Sequence, residues 1–417
     1  MKKRLLSHIL LTLLAALFLT ACGPKAPYIF PDKFKQDAKI LATFDEPVLF
    51  DETALLQKYF AVWKKKKSDF KKSDLMWALN SYTYKPGRYF TLSRLTFKKS
   101  WFDNVAKNAN FDALNSVFAP AIITKNTPLR SLPTRDRLFK SAGSYPFDYL
   151  QDSVLPIFSP VVVSHYSKDG LYAFVHTDEI SGWIWRGDLR IFTQKEAENY
   201  KKNKFGAFTK DGGAIFDKRG NFVGESRIGG FFPYVKEEND AFVSASYRFS
   251  KSYARKFEPF EDVIIKRRLN EFLGANYGWG GENLLRDCSL FLKDFYASFG
   301  VWLPRNSRAQ GKAGTVFSLE GMDNEQKKEF IMANAVPYLT LFYMKGHIML
   351  YTGVLDDEIT ITHAVWALRD KEDNRHQIGK VAITSIELGK GYREFKDENL
   401  LLGKITSMNI ISAPKKR

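Results

Sequence analysis

"GWGGENLLRDCSLFLKDF", residues 278–295, decides how the rest of the chain is read. Asp287 is a good N-cap, so Cys288 would open a helix. Phe291, Leu292, Phe295 and Phe299 follow at spacings of three or four, with Gly300 as a stop and Pro304 just beyond. The pattern predicts an amphipathic helix with a thiol at its positive end. Unsatisfied N–H groups and the helix dipole there favour thiolate over thiol, and a thiolate is the nucleophilic form. Asp287 opposes that ionisation, so a cationic partner is required.

The chain has only one other cysteine, Cys22, in an N-terminal segment of export type. Lys2, Lys3 and Arg4 precede an apolar run from Ile9 to Leu19, which ends at the small residues of "LTAC", 19–22. The run is short for a bilayer span and has the basic–apolar–small order of a secretory peptide. Cys22 in that setting resembles a bacterial lipobox, which implies cleavage before it and lipid attachment to its sulfur. Gly23, rather than Asp, resembles the signal for the outer membrane, facing the periplasm. Exported proteins tend to pair their cysteines or lose them, so an unpaired Cys288 is either a buried bystander or the reagent.

Removing residues 1–21 takes away three basic and no acidic side chains, and lowers the net charge from +17 to +14. Such a surface favours anionic partners. Export argues against nucleic acid and for a cell-wall polymer or membrane surface. The basic runs 64–67 and 415–417 read as solvated charge. The sequence has no C-x-x-C, no H-E-x-x-H and no phosphate-loop pattern, so neither a metal nor another cofactor is expected.

Along the chain the pattern changes three times. Residues 22–33 read as a Pro-rich tether after the signal peptide of 1–21. Residues 34–115 read as a helical domain, with Leu55, Leu56, Tyr59, Phe60 and Trp63 at helical spacing and a further helix within 101–114. Between 116 and 252, short alternating runs separated by Gly-bearing turns predict two small β-barrels, 116–195 and 196–252. Trp183 and Trp185 fit barrel core, and Trp279 a cleft wall. From 253 to 417 helices precede four strand candidates, "YLTLFYM", "HIMLYTGV", "EITITHAVW" and "KVAITSIEL", the order of an α+β domain.

A thiol nucleophile needs a base, for which histidine suits best. His8 lies in the signal, His165 and His176 in the first barrel region, and His376 among charges. His347 and His363 remain, each on a strand of the C-terminal domain. One would serve as the base and the other as the group that fixes its tautomer.

Together, "NYGWGG…RDCS…WLPRNSRAQ…GHIMLYTG…THAVW" resembles the NlpC/P60 cysteine peptidases, cell-wall enzymes with a papain-like core. "RSLPT…PFDYLQDS…PVVVSHYSKDGLYAFV…GWI" resembles the bacterial SH3 modules of one branch, which also carries a helical N-terminal stabilising domain. The resemblance implies a multidomain fold: the helical domain, two SH3-like barrels and a papain-like α+β catalytic domain. It implies Cys288 as nucleophile, His347 as base and His363 as its orienting residue. Tyr277 would line the site, Asp287 and Ser289 would hold the free amine of an N-terminal L-Ala, and Ser307 would belong to the substrate pocket. Leu290 departs from the family, which has a small residue there. The implied reaction is hydrolysis of the γ-D-glutamyl–diaminopimelate bond in peptidoglycan stem peptides or muropeptides, with the first barrel restricting the pocket to short fragments. A non-catalytic peptidoglycan-binding lipoprotein and a thiol acyltransferase are the alternatives. The oligomeric state is not legible.

Overall fold

The computed structural model describes residues 33–411 apart from 46, 47 and 49. The signal peptide, Cys22, nearly all of the tether and the basic run 415–417 lie outside the described residues. Among those described, no helix is long and apolar enough to cross a membrane.

The helical stripe forms and shows what it covers. Helix Glu52–Tyr59 starts at an Asp51 cap that accepts from the Thr53 N–H at 2.9 Å. Its Leu55, with Phe60 from the turn beyond, is buried in one cluster with Phe192, Tyr200, Phe205 and Phe231 of the barrel region. Trp63 donates to the Val161 carbonyl at 2.9 Å and Tyr59 to that of Phe158 at 3.1 Å. The segment is therefore packed on the barrels rather than on itself. Residues 34–44, assigned from sequence to the same helical domain, do something else. Phe34, Ala38, Leu41 and Phe44 are buried in the core of the C-terminal domain, and Val48 bridges Phe260. They bury against helix Asp262–Asn270, whose ends also hold them through Asp262 on the Phe44 N–H and Asn270 on the Ala38 N–H. The basic run 64–67 is exposed.

The first barrel is a seven-stranded antiparallel sheet built around the expected hairpins Pro160–Tyr166, Tyr172–His176 and Ser181–Trp185. Trp183 is fully buried beside Phe111 and Phe174. The second barrel combines a five-stranded and a three-stranded sheet. Ala254–Arg255 pairs with Lys204–Phe208, so this barrel continues past residue 252.

In the C-terminal domain the four expected strands appear as Thr340–Met344, His347–Leu355, Glu358–Arg369 and Arg375–Ser385. They are consecutive neighbours in a six-stranded antiparallel sheet whose other edge adds Ser407–Ile410 and Thr315–Ser318. Those two strands are short and carry no clear alternation, so their pattern does not announce them. Helix Cys288–Ala297 buries Phe291, Leu292 and Phe295 against Leu341, Ile348, Leu350 and Ala364 of the sheet.

Candidate active site

Cys288 occupies the first turn of its helix, 7% exposed, behind the Asp287 cap, whose carboxylate accepts from the Leu290 N–H at 2.9 Å. Three departures from an ordinary helix start fix this turn. In the first, Trp279–Leu284 form a loop in which Gly280 and Gly281 have φ of 61° and 80°. A Cβ on Gly281 would lie 2.6 Å from Leu290 Cδ2 and 3.2 Å from Val154 of the first barrel. Leu290 thus packs at the junction of helix and barrel, and the missing side chain at Gly281 makes room for it. Gly280 donates to Asp287 Oδ2 at 3.1 Å, and its carbonyl accepts from Gln151 at 3.1 Å.

The second device lies behind the helix. Arg286 donates to Asp294 at 2.8 Å and, with both terminal nitrogens, to Asp211 of the second barrel at 2.6 and 2.9 Å. Arg227, also from that barrel, reaches Asp294 at 3.2 Å. The third is Arg305, which no sequence pattern singles out. It grips Asp287 with two nitrogens at 2.6 and 3.1 Å, Ser289 Oγ at 2.9 Å and Ser153 of the first barrel at 2.8 Å. Burial alone would raise the Asp287 carboxyl, but Arg305 and the N–H donors outweigh it and hold it below its usual range. Asp287 and Arg305 lie 18 residues apart, and no local pattern says that the one neutralises the other.

His347 opens its strand after a turn at Lys345 and Gly346, where Gly346 takes φ 83°. Its Nε2 lies 2.9 Å from His363 Nδ1, and His363 Nε2 lies 3.1 Å from Thr384 Oγ1. This relay engages Nε2 of His347 and leaves Nδ1 as the ring nitrogen outside it. For Nδ1 to hold a lone pair, His347 Nε2–H must donate to His363, and His363 Nε2–H to Thr384. Nothing in the sequence points to Thr384; it sits on the next strand, opposite Ile361. The backbone N–H groups of Ile348, the residue after His347, and of Ser289 act on the Cys288 sulfur to lower its proton affinity. The Asp287 charge acts on the His347 imidazole against the effect of burial, and the Cys288 helix packs on the strand that His347 opens.

Electrostatics differ from the sequence expectation at the thiol. Burial, then the Asp287 carboxylate, push the Cys288 thiol up to about 12, against the lowering by the N–H groups and Arg305. Burial pushes the His347 imidazole down to about 4, and burial with the neighbouring His347 pushes His363 well down. The resting pair is neutral: the desolvation of a buried charge exceeds what a helix terminus returns.

Tyr277 borders the same site, its hydroxyl raised by burial and by the nearby Cys288 and Asp287 charges. With Trp279, His347, Trp366 and Phe147 it lines an open cleft of about 540 Å³. Phe147 comes from the first barrel and meets Trp279 edge-on at 5.0 Å. Ser307 begins the short helix Ser307–Gln310, two residues after Arg305. On the Arg305 side a second opening is lined by Asp74, Asp152, Glu179 and Asn306. The histidines set aside from sequence are structural. His165 bonds the Ala109 carbonyl at 3.0 Å, His176 bonds Ser181 at 2.7 Å, and His376 bonds Asp370 at 2.8 Å. Among the described residues no group of His, Cys, Asp and Glu could hold a metal ion.

Family models match four stretches: "NLPC_P60 stabilising domain, N term" over residues 11–114, "SH3 domain (SH3b1 type)" over 137–185, "SH3 domain of SH3b2 type" over 194–239 and "NlpC/P60 family" over 274–374. No curated protein matches the sequence. A solved structure described as a novel NlpC/P60 endopeptidase from Photobacterium damselae subsp. piscicida superposes with a TM-score of 0.80 at 20% identity, covering 94% of this protein and 100% of that one. An NlpC/P60 family protein from Bacillus cereus ATCC 10987 superposes with a TM-score of 0.47 at 15% identity, over 70% of this protein and 99% of that one. Four modules in this order, with one relative matched end to end in fold, place the protein in the NlpC/P60 family, in the branch with an N-terminal stabilising domain and two bacterial SH3 domains.

Proposed function

We propose that this protein is a lipid-anchored cell-wall cysteine endopeptidase, held at the outer membrane facing the periplasm, that cuts the γ-D-glutamyl–diaminopimelate bond of peptidoglycan stem peptides. The observation that carries the chemistry is the Cys288 thiol at a helix start beside the His347–His363–Thr384 relay. The location rests on the N-terminal sequence alone.

In the reaction Cys288 passes its proton to His347 Nδ1 as the sulfur attacks the scissile carbonyl carbon. The oxyanion is held by N–H groups of the helix's first turn, chiefly that of Cys288, which the Asp287 cap does not take. His347 then returns its proton to the leaving amine as the C–N bond breaks, leaving a thioester. Water, deprotonated by His347, attacks the thioester; the free carboxylate leaves and the thiol regains its proton. The imidazole is neutral at rest, so it is ready as a base. Proton transfer creates a thiolate–imidazolium pair whose mutual attraction offsets their burial.

The amine of an N-terminal L-Ala would sit on the Arg305 side. Asp287 and Ser289 are candidates there, although Asp287 already carries Arg305. Asp74 and Asp152, at the opening beside it, are the carboxylates an ammonium would meet, Glu179 there being already paired with Lys293. Phe147 of the first barrel narrows the cleft and favours short muropeptides over intact strands.

The test incubates the purified protein with L-Ala-γ-D-Glu-meso-diaminopimelate and with an N-blocked copy. Cleavage at the γ-D-glutamyl bond by the parent, lost in Cys288→Ala, supports the reading. A parent that binds the peptide without cutting it overturns the hydrolase. Equal turnover of both peptides removes amine recognition.

A further inference from the structure

The cleft beside His347 is lined by four cationic residues, Lys345, Arg369, Arg375 and Lys404. Arg369 and Arg375 are direct cross-strand partners at the tip of the hairpin formed by Glu358–Arg369 and Arg375–Ser385. Like charges placed opposite each other destabilise a strand pair. Of the four, only Arg369 is paired with a carboxylate among the described residues, that of the exposed Asp373. Arg375 lies over the ring of Phe147, 5.6 Å from its centroid, so its guanidinium is held across the cleft mouth by the first barrel. Lys404 is half-buried and its ammonium is lowered by burial and then by the Arg369 charge. Asp373 on Arg369 and the Phe147 ring under Arg375 still leave Lys345, Arg375 and Lys404 with no paired carboxylate among the described residues, and an anion in the cleft would supply one.

Which part of a substrate lies there follows from the relay. The imidazole that protonates the leaving amine must be within reach of it, and His347 lines this cleft. The opening at Arg305 and Asn306 instead carries Asp74, Asp152 and Glu179. The cleft at His347 is thus the more positive of the two, the opening at Arg305 holding Asp74 and Asp152 besides a Glu179 already paired with Lys293.

Resting on the proposed peptidase reading, we infer that Lys345, Arg369, Arg375 and Lys404 form a subsite for a carboxylate on the leaving residue and select substrates whose leaving residue is acidic over those in which it ends in an amine. The carboxylate is the distal carboxyl of a diamino dicarboxylic acid, since the α-carboxyl at the peptide's end is common to the acidic and the amine-ended peptides and does not distinguish them.

Binding separates this inference from the chemistry. The full-length Cys288→Ala protein in detergent is titrated with L-Ala-γ-D-Glu-meso-diaminopimelate, with the same peptide bearing an α-carboxamide and with the lysine counterpart. Tighter binding of the diaminopimelyl peptide than of the lysyl one, by about tenfold or more, is expected for a charge-assisted contact. The advantage should shrink severalfold in Arg369→Gln/Arg375→Gln and in Lys404→Gln, and at high salt. The carboxamide, which keeps the distal carboxyl and lacks the α-carboxyl, should keep the advantage over the lysyl peptide; loss of that advantage would overturn the distal carboxylate as the ligand. Equal affinity for all three peptides, or an advantage untouched in both variants, overturns the subsite. Circular dichroism of each variant guards against reading misfolding as lost affinity. A parent that discriminates in binding yet never cuts would sink the peptidase and leave the subsite standing.

Discussion

Arg305 closes on both carboxylate oxygens of Asp287, at 2.6 and 3.1 Å, and thereby neutralises the charge immediately before the nucleophile. Both side chains are about nine-tenths buried. Replacing Arg305 by Ala strands a buried carboxylate next to the thiol. The expected loss is about 3–5 kcal/mol of stability in denaturant melts. Arg305→Lys should recover part of it, because a lysine supplies the charge without the two-pronged geometry.

In the proposed mechanism His363 acts through His347, which it meets at 2.9 Å, rather than on the substrate. His363→Ala should lower kcat by about 10²-fold or more while leaving KM within a few-fold, since loss of an orienting partner misaligns the base. His363→Asn, which keeps an acceptor near His347 Nε2, should recover activity in part. His347→Ala should abolish turnover in the same assay.

Alkylation reports the resting state of the thiol. With Cys288 raised to about 12 and His347 lowered to about 4, iodoacetamide should react slowly at pH 7 and faster as pH rises. A fast rate, flat from pH 5 to 9, would instead show a preformed thiolate–imidazolium pair. Activity should fall as pH drops toward about 4, where His347 takes up a proton and ceases to be a base.

Stability should also fall on the acid side. His347, near 4, and His176, near 3, are held below 6.5 by burial, and His165 and His363 shift the same way. Below pH 6.5 the unfolded protein binds these protons more readily than the folded one. Their contribution is therefore complete above 6.5 and is lost as pH falls toward 4. Asp152, raised by burial to about 6, and Glu179, raised by burial too, work in the opposite direction. Four imidazoles outnumber these two carboxyls, so melting temperatures should decline from pH 7 to 4.5.

Gly281→Ala tests the junction of helix and barrel. The added Cβ meets Leu290 at 2.6 Å, and the backbone there has φ 80°. A loss of about 1–3 kcal/mol is expected from strain and overpacking. Leu290→Ala should relieve the packing part, so the pair of changes should cost less than the sum of each alone.

Much of this protein was legible in one dimension because the signals are local. Asp287 as cap, the aromatic spacing after Cys288 and the alternation around His347 and His363 each depend on neighbours within a few residues, and each element formed where that pattern placed it. What tertiary structure alone decided is whatever depends on burial and on distant partners. The thiol's proton affinity rises because the helix start is enclosed, and Arg305, Thr384, Gly281 and the cationic cleft acquire meaning only from contacts across strands and domains. The segment 34–44 buries its apolar side chains in the core of the C-terminal domain, a partner more than two hundred residues away that no local pattern names.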